Sequence, residues 1–286
     1  MSDSTLDAYA ATLAPAQYDK TEASTRRAKV QEALQKSTLN VTSMFESGSW
    51  SHGTAIKAKT DVDYMAVATG TKPTYPSRAL TSANTAMTGC DWKIIGVSAS
   101  SPVVKVTYNS QPHFEIAPVW FKETKTGHAV YWIAGRGDEW VLSAPTAHLA
   151  CVNRENDRLS KRVKPLIRLL KAWKSHVGAP VSSFYMEMRA VEHSAGEMTI
   201  YYYFDLRSCF RKMINAEVRD MNDPEGIVGR IPACSSDDKR RQTVQMMKTA
   251  CSNLERAEDA RSRNDKNAYA AAMRQVFGVG YPYPTW

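Results

Sequence analysis

Apolar positions along the chain return at two different periods. From Thr21 to Phe45 the residues Val30, Ala33, Leu34, Leu39 and Met44 recur at roughly helical spacing with charges between them, which predicts one long helix. The first 20 or so residues are polar, with Ala and Pro, and predict a loose or short helical arm. Glu46 to Thr54 reads as a Gly/Ser turn, and Asp61 to Ala68 (DVDYMAVA) as a strand. Thr69 to Asn84, with Pro73 and Pro76, reads as turns. Trp92 to Val97, Val103 to Tyr108 and His113 to Phe121 are Val-, Ile- and aromatic-rich strands, and Val130 to Ile133 is a further one.

Beyond about Pro145 the period becomes helical. Asn156 to His176 is strongly helical despite Pro165. Ser182 to Glu192, Tyr201 to Ile214 and Ser236 to Phe277 follow as helices, the last opening on SSDDKRR, an N-cap serine with acids in the first turn. The expected fold class is therefore mixed α+β, with a core of mixed α and β over 1–145 and a helical lobe over 146–286. No flexible linker separates them, so the two lobes share an interface, and a cleft there is a usual place for a ligand.

Composition narrows the class. With 286 residues, 43% hydrophobic and 23% charged, the chain has a globular composition rather than a disordered or fibrous one. A formal net charge of +8 suits a polyanionic partner, and its cations recur inside patterned segments such as Arg154 to Lys174. Cys90, Cys151, Cys209, Cys234 and Cys251 are dispersed, which excludes a CxxC-type zinc site and fits reduced thiols in a cytoplasm. The N-terminus lacks the pattern of a signal peptide, and no stretch approaches the roughly 18 apolar residues of a membrane span, so no membrane partner is expected.

The chemistry lies in Gly48-Ser49-Trp50-Ser51-His52-Gly53-Thr54, followed by Thr60-Asp61-Val62-Asp63. At i and i+2 of a strand, Asp61 and Asp63 project from the same face. Adjacent carboxylates repel unless a cation lies between them, and magnesium prefers such oxygens. Glu115, between Phe114 and Ile116 on an apolar strand, is a third acid that needs a partner if buried. If its strand lies beside that of Asp61 and Asp63, the three could hold two magnesium ions roughly 3.5–4 Å apart. Gly48 and Ser49 stand where a loop enters a helix, where amides cradle a phosphate and glycine admits close approach.

The segment GSWSHGTAIKAKTDVDYM resembles the active-site signature of the polymerase-beta-like nucleotidyltransferases. Within them it is similar to the branch that holds oligoadenylate synthetase, cyclic GMP-AMP synthase and the bacterial CD-NTases of CBASS anti-phage signalling. KPLIRLLKAWK (164–174) resembles the family's central helix, which places its triphosphate-binding lysine at Lys171. SFYMEM (183–188) resembles the following helix, with the phosphate-binding serine at Ser183 and the base-stacking aromatic at Phe184. Ile231-Pro232-Ala233-Cys234 and the helix to Gly278 resemble the C-terminal segment of bacterial members. Two departures stand out: Glu115 where many relatives carry Asp, which alters metal spacing, and Phe184 where Tyr is common, which keeps stacking and loses a hydroxyl.

The resemblance implies a core sheet with flanking helices packed on a C-terminal helical lobe, bilobed around a central cleft. It implies two Mg2+, with Mn2+ as an alternative, held by Asp61, Asp63 and Glu115. Gly48, Ser49, Lys171, Ser183 and Phe184 would bind nucleotide: ATP, GTP or pyrimidine triphosphates. The product would be a cyclic di- or trinucleotide acting on an effector protein, with a regulatory protein or nucleic acid among the open activating signals. From the residues alone other readings stay open: an RNA-tailing or small-molecule nucleotidyltransferase, or a nucleotide- or RNA-binding sensor with vestigial acids. Ser183 also reads as a helix N-cap, Phe184 as plain core and Lys171 as a solvated charge. His52 and His113 read as surface or structural, and Arg26, Arg27, Lys57 and Lys59 as exposed charge. Trp92, Trp120, Trp132, Trp140 and Trp173 read as core or interface aromatics.

Overall fold

A computed structural model describes residues 4–59 and 61–286. The first half runs α1 (Ser4–Thr12), α2 (Lys20–Gln35), β1 (Val41–Ser47), α3 (Gly48–Ser51), β2 (Val62–Ala68), α4 (Pro76–Met87), β3 (Ile94–Ser100), β4 (Val103–Tyr108), β5 (Phe114–Lys125), β6 (His128–Ala134) and β7 (Trp140–Ser143). Then come α5 (Pro145–Arg158), α6 (Val163–Val177), α7 (Ser183–Ala195) and α8 (Tyr202–Asn215). A short hairpin, β8 (Met221–Asn222) and β9 (Arg230–Ile231), precedes α9 (Asp237–Ser262) and α10 (Lys266–Phe277). The fold is mixed α+β, as the two hydrophobic periods predict.

The sheet order is β1-β2-β5-β4-β3, with β6 added on β5 and β7 on β6. Only β2 and β5 pair in parallel, and every other pair is antiparallel. Val62, Tyr64, Ala66 and Ala68 point into a core with Val30 and Leu34 of α2 and Leu80 and Met87 of α4. Met65 packs on the opposite face with Ala117 and Val119. Burial on both faces explains why β2 does not alternate strictly in sequence. A larger core joins α5 through α10, and Leu6 and Ala10 of α1 belong to it, with Asp7 paired to Arg162 at 2.7 Å. Among the described residues no helix is long and apolar enough to cross a membrane, and the cysteines are free.

Several elements differ from the sequence expectation, each for a local reason. The helix expected over 21–45 ends at Gln35, where Ser37 Oγ donates to the Leu34 carbonyl and accepts from the Leu39 amide. Such side chains offer the backbone an exit from the helix. Asn40 then takes φ 47°, and the rest becomes β1. The proline-rich stretch expected as turns holds α4, because Pro76 is at its first turn, where the missing N–H costs nothing. The helix expected over 156–176 is α5 and α6, broken where Ser160 and Lys161 adopt positive φ. Likewise 236–277 divides into α9 and α10 at Asn264, φ 59°. Trp120 and Trp173 are core aromatics, but Trp92 is 79% exposed. Arg26, read as exposed charge, is buried and donates to the carbonyls of Ser110 and Pro112, which pins the turn ahead of β5.

Candidate active site

The strand pairing fixes the acids. In the parallel β2–β5 ladder Asp63 is the partner of Glu115, and in the antiparallel β1–β2 ladder Ser47 is the partner of Asp63. Opposite partners in a sheet share a face. Asp61, just ahead of β2, completes the i, i+2 pair on that face; Thr60 lies outside the described residues. All three acids line one cavity of about 740 Å³. Desolvation first, and the neighbouring Glu115 second, push the Asp63 carboxyl from its ordinary 3.8 up to about 7. Lys59, the Ser49 amide and Lys171 pull it the other way.

Cations already stand against this oxygen cluster. Lys105 Nζ is 2.7 Å from Asp61 Oδ2, and Lys59 Nζ is 3.9 Å from Glu115 Oε1. Lys105 is the register partner of Glu115 on β4. An all-oxygen donor set of mutually repelling carboxylates, with one carboxyl pushed toward its neutral form, fits hard divalent cations.

The Gly48 turn is built against the same acids. Gly48 has φ +63°, and a Cβ there would lie 2.2 Å from Asp63 Oδ2, so only glycine lets the turn approach β2 this closely. Gly48 and Ser49 open α3, a single turn, and both line the cavity.

The helical lobe supplies the opposite wall. Lys171 Nζ lies 2.6 Å from Glu187 Oε2 and 2.8 Å from Thr54 Oγ1, all three side chains being buried. Glu187 also meets His52 Nδ1 at 2.5 Å and accepts from Thr54 Oγ1 at 2.8 Å. Burial alone would raise the Glu187 carboxyl, but Lys171 and His52 outweigh it and hold the group well below the usual carboxylate range. His52 is therefore structural, as its sequence reading favoured, whereas Lys171 is a buried ion-pair member rather than a solvated charge. His113 is also structural: its Nδ1 accepts from the Tyr108 amide. Lys174, one turn beyond Lys171, reaches Ser183 Oγ at 2.7 Å. Burial, then Lys59 and Lys171, lower its ammonium pKa. The N-cap of α7 is Ser182, whose Oγ accepts from the Tyr185 amide, so Ser183 is left facing the cavity. Phe184 beside it is partly buried and meets the ring of His148 edge-on, centroids 5.0 Å apart.

The structure thus brings Gly48, Ser49, Asp61, Asp63, Glu115, Lys171, Ser183 and Phe184 onto one cavity. Residues 1–156 match the family described as Second Messenger Oligonucleotide or Dinucleotide Synthetase domain. The chain belongs to this family. The synthetase is 24% identical over 261 residues to a curated cyclic AMP-AMP-AMP synthase of an Acinetobacter species, covering 83% of this chain and 72% of that one. Its fold is similar to that of Escherichia coli MS115-1 CdnC solved with ATP, at a TM-score of 0.77 and 16% identity over 99% of each chain. The CD-NTase CdnG of Bradyrhizobium diazoefficiens, in complex with GTP, superposes at 0.73 with 15% identity, covering 97% of this chain and 94% of that one. The cyclic AMP-GMP synthase DncV of Vibrio cholerae does so at 0.64 with 14% identity, over 85% and 70%. The synthetase is accordingly a nucleotidyltransferase whose product is an oligonucleotide or dinucleotide second messenger.

Three cavity residues were given no role from the sequence, Lys174, His148 and Glu187, and neither was Lys105, which pairs with Asp61. Glu187 carried a signal, an acid inside the apolar run YMEM, which demands a buried cation. Lys105 carried none, since a lysine on an edge-proximal strand is ordinary.

Proposed function

We propose that the synthetase binds a donor nucleoside triphosphate with its phosphates between the Gly48–Ser49 turn and the Lys171, Lys174 and Ser183 side of α6 and α7. Phe184 offers the base a stacking surface. Asp61, Asp63 and Glu115 would hold divalent cations, two Mg2+ in the simplest reading. When bound, they neutralise triphosphate charge and ease loss of the acceptor hydroxyl's proton. The ribose hydroxyl of a second nucleotide attacks the α-phosphate, a new P–O bond forms, and pyrophosphate leaves. The chain's own contribution is positioning and charge balance. Repetition of the step in the same cavity, with one pyrophosphate released per bond, closes the ring after two bonds for a cyclic dinucleotide or three for a trinucleotide, a messenger for anti-phage defence. ATP and GTP are the first substrates to try, since relatives were solved with each.

The observation that carries this reading is the registered pair Asp63–Glu115 beside the Gly48 turn. Free thiols and the lack of a membrane-spanning helix among the described residues support a cytoplasmic setting. A regulatory protein partner is supported by CdnC, solved in a HORMA complex.

The test is incubation of purified protein with four labelled ribonucleoside triphosphates and Mg2+. A small phosphatase-resistant product is expected. Growing RNA tails would overturn cyclisation, and no pyrophosphate from any mixture would overturn the catalytic reading.

A further inference from the structure

Behind the cavity, the loop from Asp223 to Gly229 crosses from the helical lobe to the sheet. Its ends are closed by the Asp223 amide donating to the Gly229 carbonyl at 2.7 Å. Ile227 packs with Val130 of β6 and with Ala144 and Ala147 at the start of α5. Asp223 is the hub of this loop. Its buried carboxylate accepts from the amides of Ile227 at 2.9 Å and Val228 at 3.0 Å, and lies 3.1 Å from His148 Nε2. Although burial opposes it, His148 and those amides hold the acid well below its usual range. An ionised carboxylate only accepts, so His148 Nε2 carries the proton and the ring orientation is fixed.

That ring is the one that meets Phe184 edge-on. His148 and Phe184 both line the cavity, whereas Asp223 does not. The chain of contact is therefore carboxylate to imidazole to phenyl, and it ends at the surface offered to a nucleobase. We propose that Asp223 is a positioning residue: through His148 it sets the attitude of Phe184 and so the hold on the base of the donor nucleotide. The inference rests on Phe184 being the base platform. It assigns to the 223–229 loop a role in nucleotide affinity although Asp223 does not line the cavity.

The experiment compares binding of two probes without turnover. One is the ribonucleoside triphosphate, of the four, that the wild type binds most tightly in the absence of divalent cation; the other is inorganic tripolyphosphate. Asp223→Ala is expected to weaken the nucleotide about three- to tenfold, the range of one aromatic contact, and to leave tripolyphosphate unchanged. Asp223→Asn, which keeps an acceptor for the loop amides, should fall between it and the wild type. In a Phe184→Ala background Asp223→Ala should cost nothing further, as expected for residues acting through one contact. Equal loss for both probes, no loss for the nucleotide, or full persistence of the effect without Phe184 would each overturn the proposal. If Asp223→Ala does not fold, His148→Leu cuts the same link from its other end and carries the same expectations. Phe184→Ala alone reports on the platform itself: unchanged nucleotide affinity there ends that reading, whatever Asp223 does.

Discussion

Gly48 and Asp63 approach so closely that a single methyl on the glycine would lie 2.2 Å from the carboxylate oxygen. The turn and the acid are thus one unit, and neither can be altered alone. Gly48→Ala adds both this overlap and the strain of φ +63° on a side-chain-bearing residue. We expect pyrophosphate release to fall about 10²–10³-fold, as for a lost transition-state contact, with the protein still folded by circular dichroism. Wild-type turnover in Gly48→Ala would show that the turn does not need this approach.

Asp61→Asn and Asp63→Asn test the acids directly. Each should lower pyrophosphate release by at least about 10²-fold while the fold is kept. Chelation of divalent cations should abolish release in the wild type, and added Mg2+ should restore it. Release that continues in a chelator would remove the cations from the reaction.

The raised Asp63 carboxyl makes a signed prediction about stability. Its pKa is about 7 in the fold against an ordinary 3.8, so the fold favours the protonated acid. Stability from this group is complete below about pH 4, falls as pH rises toward 7, and stays low above. Without divalent cation, Asp63→Asn should therefore raise Tm by several degrees at pH 8 and by little at pH 4.5. Mg2+ should raise the Tm of the wild type and not of the variant, because a ligand stabilises only the state that binds it. Thermal scans across pH decide; an equal Tm gain at both pH values would contradict the shift.

Much of the site was readable because its determinants are local. Asp61 and Asp63 are two residues apart, so a strand places them together without any knowledge of the tertiary fold. Glu115 needed one added assumption, that its strand neighbours β2, and the parallel register supplies it. The roles of Lys171, Lys174 and Ser183 were less legible, because they depend on which helical face meets the turn of another lobe. Lys171 pairs with Glu187, sixteen residues away, and with Thr54, which lies 117 residues away between β1 and β2. Helix ends were misjudged where single residues adopt positive φ, as at Ser160, Lys161 and Asn264. Such residues are tolerated at chain reversals by context rather than announced by composition. Strand β7, four residues long and partly exposed, has too short a pattern to register.

Glu187 is the counterion for the buried Lys171 ammonium and also meets the buried ring of His52. Replacing it with Gln leaves Lys171 uncompensated and should cost about 3–5 kcal/mol by urea unfolding at pH 7. Since its carboxyl lies below the ordinary 4.5, the wild type should hold this stability above that pH and lose it as pH falls. The gap between wild type and Glu187→Gln should therefore narrow in acid. A gap that is constant with pH would show that the charge of Glu187 contributes nothing.

Helix α1 has its own consequence for handling the molecule. It precedes the sheet in sequence yet docks in the core formed by α5 through α10, while the segment after it returns to the sheet. From α1 onward the polypeptide therefore leaves one lobe, builds the other, and comes back. Cutting at residue 145 would not yield two autonomous halves: the C-terminal fragment would be missing the wedge that Leu6 and Ala10 drive into it. A protease nick in the 13–19 connection would be tolerated only while that wedge stays seated.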